Sequence, residues 1–447
     1  MTIYNIKTLA LAVIAASALA SCSDDVSVNP IDESPYTPAA KQLVFLTDKY
    51  GYSNVDSIVF NNSGSTDFFV NATQAGSAEQ TYTVSYDAAA LERYNAANGT
   101  NYQPLPESLV TIGGQATIKA GEQRSAAVSI GYKTADNLEK NGVYAIPLTV
   151  KGGSAETSVE KGDFVYVVRD ISKMPNCDKG TGQIVVSCQE TNDANPLHNL
   201  CYTLKESGKY VIDQVVLFSG NINYNAETGE VYNFNNENIT HVLENRDKYI
   251  KPLQEKGMKV ILGILCNHDR ACSTRLNDEN CHKFALELKA KLDAYGLDGV
   301  FFDDEYCNPG NYPGFVTYNN FSRLVYECKK VMPEKIVQAY AYSGTSYVEP
   351  VDGMQVDYAI QDYGGYSDLS GSYPGLAKSG MIQASSEFAQ GRIISEARAR
   401  QIVTDGYGGT MIFSLNPSNG YVSRFNRFTV PFYGEETVQT GSYGKDW

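Results

Sequence analysis

The feature that most constrains this chain is a change of hydrophobic period near residue 182 of its 447. Before it, short runs alternate apolar and polar residues: QLVFL, DSIVF, DFFVNA, QTYTVSY, AAVSIGY, YAIPLTV and FVYVV, parted by Gly, Asn and Ser. Strands that hide one face and wet the other read this way, and seven of them at such spacing predict an all-β sandwich over 41–170. One helical insert, ALERYNAANG, interrupts them. This block holds no cluster of acids and no His-centred constellation, so it reads as a spacer or a carbohydrate-contacting module.

After the switch, runs that are apolar throughout alternate with helical stripes: QIVVSC, DQVVLFS, KVILGIL, LDGVFF, KIVQAYAY, VDYAIQDY, MIQASS and GTMIFSLN. Strands without alternation are buried on both faces, as parallel strands under helices are. Phe284, Leu288, Leu292 and Tyr295 recur at helical spacing and Gly296 follows as a stop. A similar stripe runs through Ile239, Val242, Leu243, Arg246, Ile250 and Leu253, where Arg246 must lay its stem on apolar surface. Eight strands with helical crossovers over 178–447 predict an α/β unit, a (β/α)8 TIM barrel. A doubly wound open sheet is the alternative, weakened because no Gly-rich turn follows the first strand.

In such a barrel the chemistry sits where strands end. The fourth strand ends in Asp303-Asp304-Glu305, the third in Asn267-His268, the sixth in Gln361-Asp362-Tyr363 and the eighth in Asn416. Strand alternation puts Phe301, Asp303 and Glu305 on one face, taken as the interior, and Asp304 on the other. The Cα atoms of Asp303 and Glu305 are then roughly 6.6 Å apart. Two carboxyls so close and partly shielded do not both ionise easily, and one kept protonated can serve as a general acid. Asp304 is assigned to bonding local backbone or a helix.

DGVFFDDEY resembles the DxxDxDxE signature of family 18 glycoside hydrolases, especially their endo-β-N-acetylglucosaminidase H-like branch. The similarity extends through FSGNINYN, KPLQEKGMKVILGILCNHD, VDYAIQDYGG and DGYGGTMIFSLN, covering about 182–435. The resemblance implies no metal or cofactor, and retaining, substrate-assisted cleavage between the two N-acetylglucosamines of an N-glycan core, of high-mannose type. It makes Glu305 the proton donor, Asp303 the group orienting the 2-acetamido arm and Tyr363 the donor to the acetamide oxygen. Gln361, Asn267, His268 and Asn416 become sugar-contact candidates, Gln361 on the same strand face as Tyr363. Phe301 stands where the common pattern has a third Asp, which should raise the pKa of Asp303 by desolvation. A chitinase is the alternative enzyme, opposed by the single Trp, Trp447 at the end of the chain. A non-catalytic glycan-binding lipoprotein is the other alternative, opposed by the presence of Glu305.

Composition bounds the rest. A formal charge of −15 argues against nucleic acid as a partner. The four His and nine Cys show neither HxxxH nor CxxC spacing, so no metal site is expected. Thr8 to Ala20 is a short apolar run ending in Leu19-Ala20-Ser21-Cys22, which resembles a bacterial lipoprotein box. The expected layout is a signal peptide over 1–21 and a tether over 22–40 lipidated at Cys22. That places the protein at the outer membrane, facing the cell surface, as a monomer. The pairing of the eight remaining Cys, all between 177 and 328, cannot be read from sequence.

Overall fold

The computed structural model describes residues 41–139, 142–172, 174–308, 310 and 312–447. The signal segment, the tether and Cys22 therefore lie outside the described residues.

The N-terminal unit is a sandwich of two sheets. One sheet runs Glu156–Thr157, Leu43–Asp48, Ser63–Ala72, Val128–Lys133, Val110–Ile112. The other runs Val55–Phe60, Asp163–Asp170, Val143–Gly152, Gln80–Tyr86, Gln115–Ile118. The inward residues of both sheets, among them Leu46, Phe68, Val70, Ile130, Ile146, Leu148 and Tyr166, form one core. The helical insert is Ala88–Asn98, begun by an Asp87 side chain that accepts from Ala89 N and stopped by Gly99 at φ +64°.

The second unit is a closed parallel barrel. Its eight strands are Ile184–Glu190, Gln214–Tyr224, Lys259–Cys266, Gly299–Asp303, Ile336–Ala341, Tyr358–Gln361, the split pair Met381–Ile382 and Ser386–Glu387, and Gly409–Phe413, here strands one to eight. Each pairs with the next, and strand one closes on strand eight through Ile184↔Gly409 to Cys188↔Phe413. Val186, Val216, Ile261, Phe301, Ile360, Ile382 and Met411 fill the interior. Val185, Leu217, Leu262, Phe302 and Ala339 face the helices. This two-sided burial is why the strand sequences do not alternate.

The helical ring is less complete than the pattern predicts. Asp278–Tyr295 is a full helix, with Asn277 capping one end and Gly296 at φ +65° ending the other. The stripe through Ile239 and Leu253 breaks into Glu237–Glu244, Arg246–Tyr249 and Lys251–Gln254, with Asn245 and Pro252 at the interruptions. After strands one, five and six the connections hold 3-10 turns of three to six residues instead of α-helices. The stretches after strands five and six carry Pro350, Pro374 and several Gly, which deny the backbone a continuous helix. Strand two runs on into a hairpin with Val231–Phe234, an element its apolar core does not announce.

The sandwich sits under the barrel at the end where strands begin. The Tyr52 hydroxyl donates to Ala294 O at 2.7 Å, and Arg246 donates to the same hydroxyl at 3.4 Å. Arg169 pairs with Glu255 at 3.1 Å, and Lys335 lies 5.5 Å from the Tyr50 ring centre. A cavity of about 490 Å³ between the units is lined on the barrel side by Lys259, Asp298 and Lys335, all at strand starts. The strand ends open on the opposite side.

Candidate active site

Strand four carries its side chains as alternation requires. Phe301 is 1% exposed among the interior residues, its ring 6.4 Å from those of Phe218 and Tyr340. Asp303, next on that face, is paired in register with Leu265 and is 8% exposed. Its Oδ1 is buried with no hydrogen-bond partner among the described residues. Burial pushes the Asp303 carboxyl well above the usual range, and Glu305, Asp304 and Asp362 add like-charge repulsion. Glu305 is raised as well, by burial first and by Asp362, while a bond from the Tyr306 hydroxyl works the other way. Both carboxyls are thus biased towards the protonated form.

Asp304 points away into the wall. It accepts from Cys266 Sγ at 2.9 Å, from Ser273 N at 2.9 Å, from Ser273 Oγ at 2.8 Å and from Thr274 Oγ1. These bonds fasten the loop after strand three to strand four, and the Cys272–Cys307 disulfide joins the same two loops. Cys266, Asp304 and Cys307 lie close enough to share a metal ion. Cys307 is committed to the disulfide, however, and Asp304 to its four donors.

Tyr363 lies two residues past the end of strand six, packed against the barrel interior. It is bridged to Ser385, and its hydroxyl is pushed upward by burial first and then by Cys188, Glu387, Asp303 and Glu305. Tyr363 therefore lies near enough to Asp303 and Glu305 for their charges to act on its hydroxyl. Asn267 extends the interior parity of Ile261, Gly263 and Leu265, and is exposed there. His268, also exposed and at φ +51°, packs its ring 5.0 Å from that of Tyr306. Asn416 lies just past strand eight, where its Oδ1 accepts from Ser418 N at 2.8 Å and shapes a turn.

Gln361 departs from expectation. In register it matches Ala341, on the helix-facing side with Ala359, and its Oε1 accepts from Ser367 Oγ at 3.2 Å. The strand ends at this residue and the chain turns, so Gln361 and Tyr363 do not share a face. Asp362 takes the inward place, accepting from the Tyr340 hydroxyl at 2.6 Å.

Sequence reasoning missed Tyr306, Tyr340 and Glu387. Glu387 ends strand seven in register with the interior Phe413, is 5% exposed and has an Oε2 without a hydrogen-bond partner among the described residues. Its signal was an acid closing a weak apolar run. Strand seven breaks around Ala384 at φ +50°, and the break hides the parity.

Comparisons with known proteins agree with this geometry. A family model for an N-terminal domain matches residues 38–157. Endo-β-N-acetylglucosaminidase F1 of Elizabethkingia meningoseptica is 51% identical over 276 residues, 58% of this chain and 81% of that protein. An endo-β-N-acetylglucosaminidase of Flavobacterium sp. (strain SK1022) is 32% identical over 238 residues, 51% of this chain and 74% of that protein. Among solved structures, EndoBT-3987 of Bacteroides thetaiotamicron, with Man5GlcNAc product or with Man9GlcNAc2Asn substrate, superposes with a TM-score of 0.59 at 30% identity. That match covers 90% of this chain and 97% of the other, both units included. The chain is a glycoside hydrolase and belongs to the endo-β-N-acetylglucosaminidases of family 18.

Proposed function

We propose that the enzyme hydrolyses the GlcNAc-β-1,4-GlcNAc bond in the core of high-mannose N-glycans, with retention and with the substrate's own acetamido group as nucleophile. The observation that carries this is the unpartnered Asp303 Oδ1, buried beside Glu305 and Tyr363. In its ionised form, which the growing positive charge favours, Asp303 accepts the acetamide N–H and offsets that charge as the acetamide oxygen attacks the anomeric carbon. Tyr363 donates its hydroxyl to that oxygen and aims it. Glu305, biased towards the protonated form by burial and Asp362, hands its proton to the departing glycosidic oxygen. It then takes a proton from the water that opens the cyclic intermediate. Such substrate assistance needs one acid and one orienting carboxylate, not two nucleophile-ready ones. The high-mannose assignment is supported by the relative solved with Man9GlcNAc2Asn.

A high-mannose glycoprotein incubated with the enzyme should keep one N-acetylglucosamine on each Asn. Intact glycans at high enzyme dose, or faster turnover of soluble chitin oligomers, refute the substrate assignment. The Leu19-Ala20-Ser21-Cys22 box supports a lipid anchor at Cys22 and display from the outer membrane. Cys22→Ser should then move the protein from the membrane to the soluble fraction, and unchanged fractionation would refute the anchor.

A further inference from the structure

The end of the chain folds back onto the loop after strand one. Lys445 Nζ donates to Asn192 O at 2.9 Å and to Asn238 Oδ1 at 2.6 Å. Trp447 Nε1 donates to the same Asn238 oxygen at 3.0 Å. Asn238 passes the contact on, its Nδ2 donating to Asn192 Oδ1 at 3.0 Å, where Asn236 Nδ2 also donates at 2.9 Å. Asn192 Nδ2 then donates to Glu190 Oε1 at 2.8 Å. Glu190 is the last residue of strand one and shares the interior parity of Val186 and Cys188. An unbroken chain of bonds thus runs from Trp447 to an acid at the mouth.

Two further contacts seat the segment. The Trp447 ring stacks on His241 at 5.1 Å and 15°, and meets the edge of the fully buried Tyr249 at 5.0 Å. Tyr443 N donates to His198 Nδ1 at 3.4 Å, and Asn195 Nδ2 donates to Gly444 O at 3.2 Å. Burial holds His198 at about 4, so its imidazole is neutral at pH 7 and keeps the lone pair that this bond requires. His198 and Asn195 also belong to the loop after strand one, which has only a 3-10 turn where the connections after strands two, three and four have helices. The Lys445 and Trp447 bonds meet this loop at its exposed corner, Asn192, while residues 194–199 are buried.

We infer that Tyr443–Trp447 is a strap that holds the strand-one loop, and with it Glu190, in the position that receives the glycan. Lys445 and Trp447 are then positioning residues for substrate binding, a role that deepens the endoglycosidase reading and rests on it. Two full-length variants test this, Lys445→Met and Trp447→Ala, with Lys445→Arg as the conservative rescue.

Hydrogen–deuterium exchange of the 189–201 segment, measured without any glycan, should quicken in both variants and return towards wild type in Lys445→Arg. Unchanged exchange overturns the strap whatever the substrate is. With a high-mannose glycopeptide, KM should rise about three- to tenfold in both variants while kcat stays within about twofold. Quickened exchange with unchanged KM overturns the strap's part in binding. A merely structural role would lower kcat through lost folded enzyme and leave KM alone. Trp447 is the only Trp, so its emission reports the strap directly. In Glu305→Gln, emission should shift with the same midpoint that calorimetry gives for glycopeptide binding, and flat emission through saturation overturns the coupling.

Discussion

Asp304 separates wall from machinery, and its removal can be worked out from its contacts. Asp304→Ala deletes a carboxylate that is 4% exposed and accepts from Cys266, Ser273 N, Ser273 Oγ and Thr274. Hydrogen bonds to a charged group contribute about 1.5–3 kcal/mol each, and they do not add. The two hydroxyls can turn to other acceptors and the thiol is a weak donor, but Ser273 N is fixed in a buried backbone. Loss of the buried charge returns part of the cost. The net destabilisation is therefore about 3–5 kcal/mol, the range for breaking a buried charged network. For a barrel of this size that lowers Tm by on the order of 10 °C. Guanidinium unfolding followed by circular dichroism should show the loss, while kcat at 20 °C per folded molecule falls by less than about tenfold, far short of a general-acid deletion. A loss under about 1 kcal/mol, or a collapsed kcat at unchanged Tm, would refute the structural assignment.

Other consequences follow from the same site. Glu305→Gln should cut kcat by about 10²- to 10⁴-fold and still bind glycopeptide in calorimetry; lost binding with intact kcat would contradict a proton-donor role. Asp303→Asn should raise stability at pH 7 while lowering activity, because a raised folded pKa means the folded state pays for the charge once pH exceeds the unfolded value near 3.8. The gain should vanish below that pH in parallel denaturation curves. His198 has the opposite sign of consequence: its depressed pKa makes the folded state lose stability as pH falls from 6.5 towards about 4, by about 3 kcal/mol at most, readable in Tm against pH. Replacing Cys272 and Cys307 by Ser opens a 35-residue loop and should cost roughly 3–4 kcal/mol in the chain-entropy model, measured by unfolding with and without reductant.

Barrel and sandwich were legible because burial leaves a period in the sequence. Strands wet on one face alternate, as in QTYTVSY, and strands hidden on both do not, as in KVILGIL. Asp303 and Asp304 divided as alternation requires because strand four stays regular through Asp303. Parity stops working where regular backbone stops. Gln361 is the last residue of its strand, so counting two onward to Tyr363 crossed a turn. Glu387 follows a break, and Tyr306 sits at φ +60° beyond strand four. The missing helices after strands five and six show the same limit, since an apolar run predicts a strand but says little about its connection. The Cys272–Cys307 pairing depends on two loops meeting in space, which no spacing along the chain encodes.

The sandwich touches the barrel where strands begin, and that has a consequence for evolution and for engineering. All eight rim loops are free to lengthen, shorten or exchange without disturbing the joint between the units, because none of the Tyr52, Arg169 or Lys335 contacts depends on them. Rim and footing are thus separate surfaces, so a change at one end of the barrel leaves the joint at the other as it was.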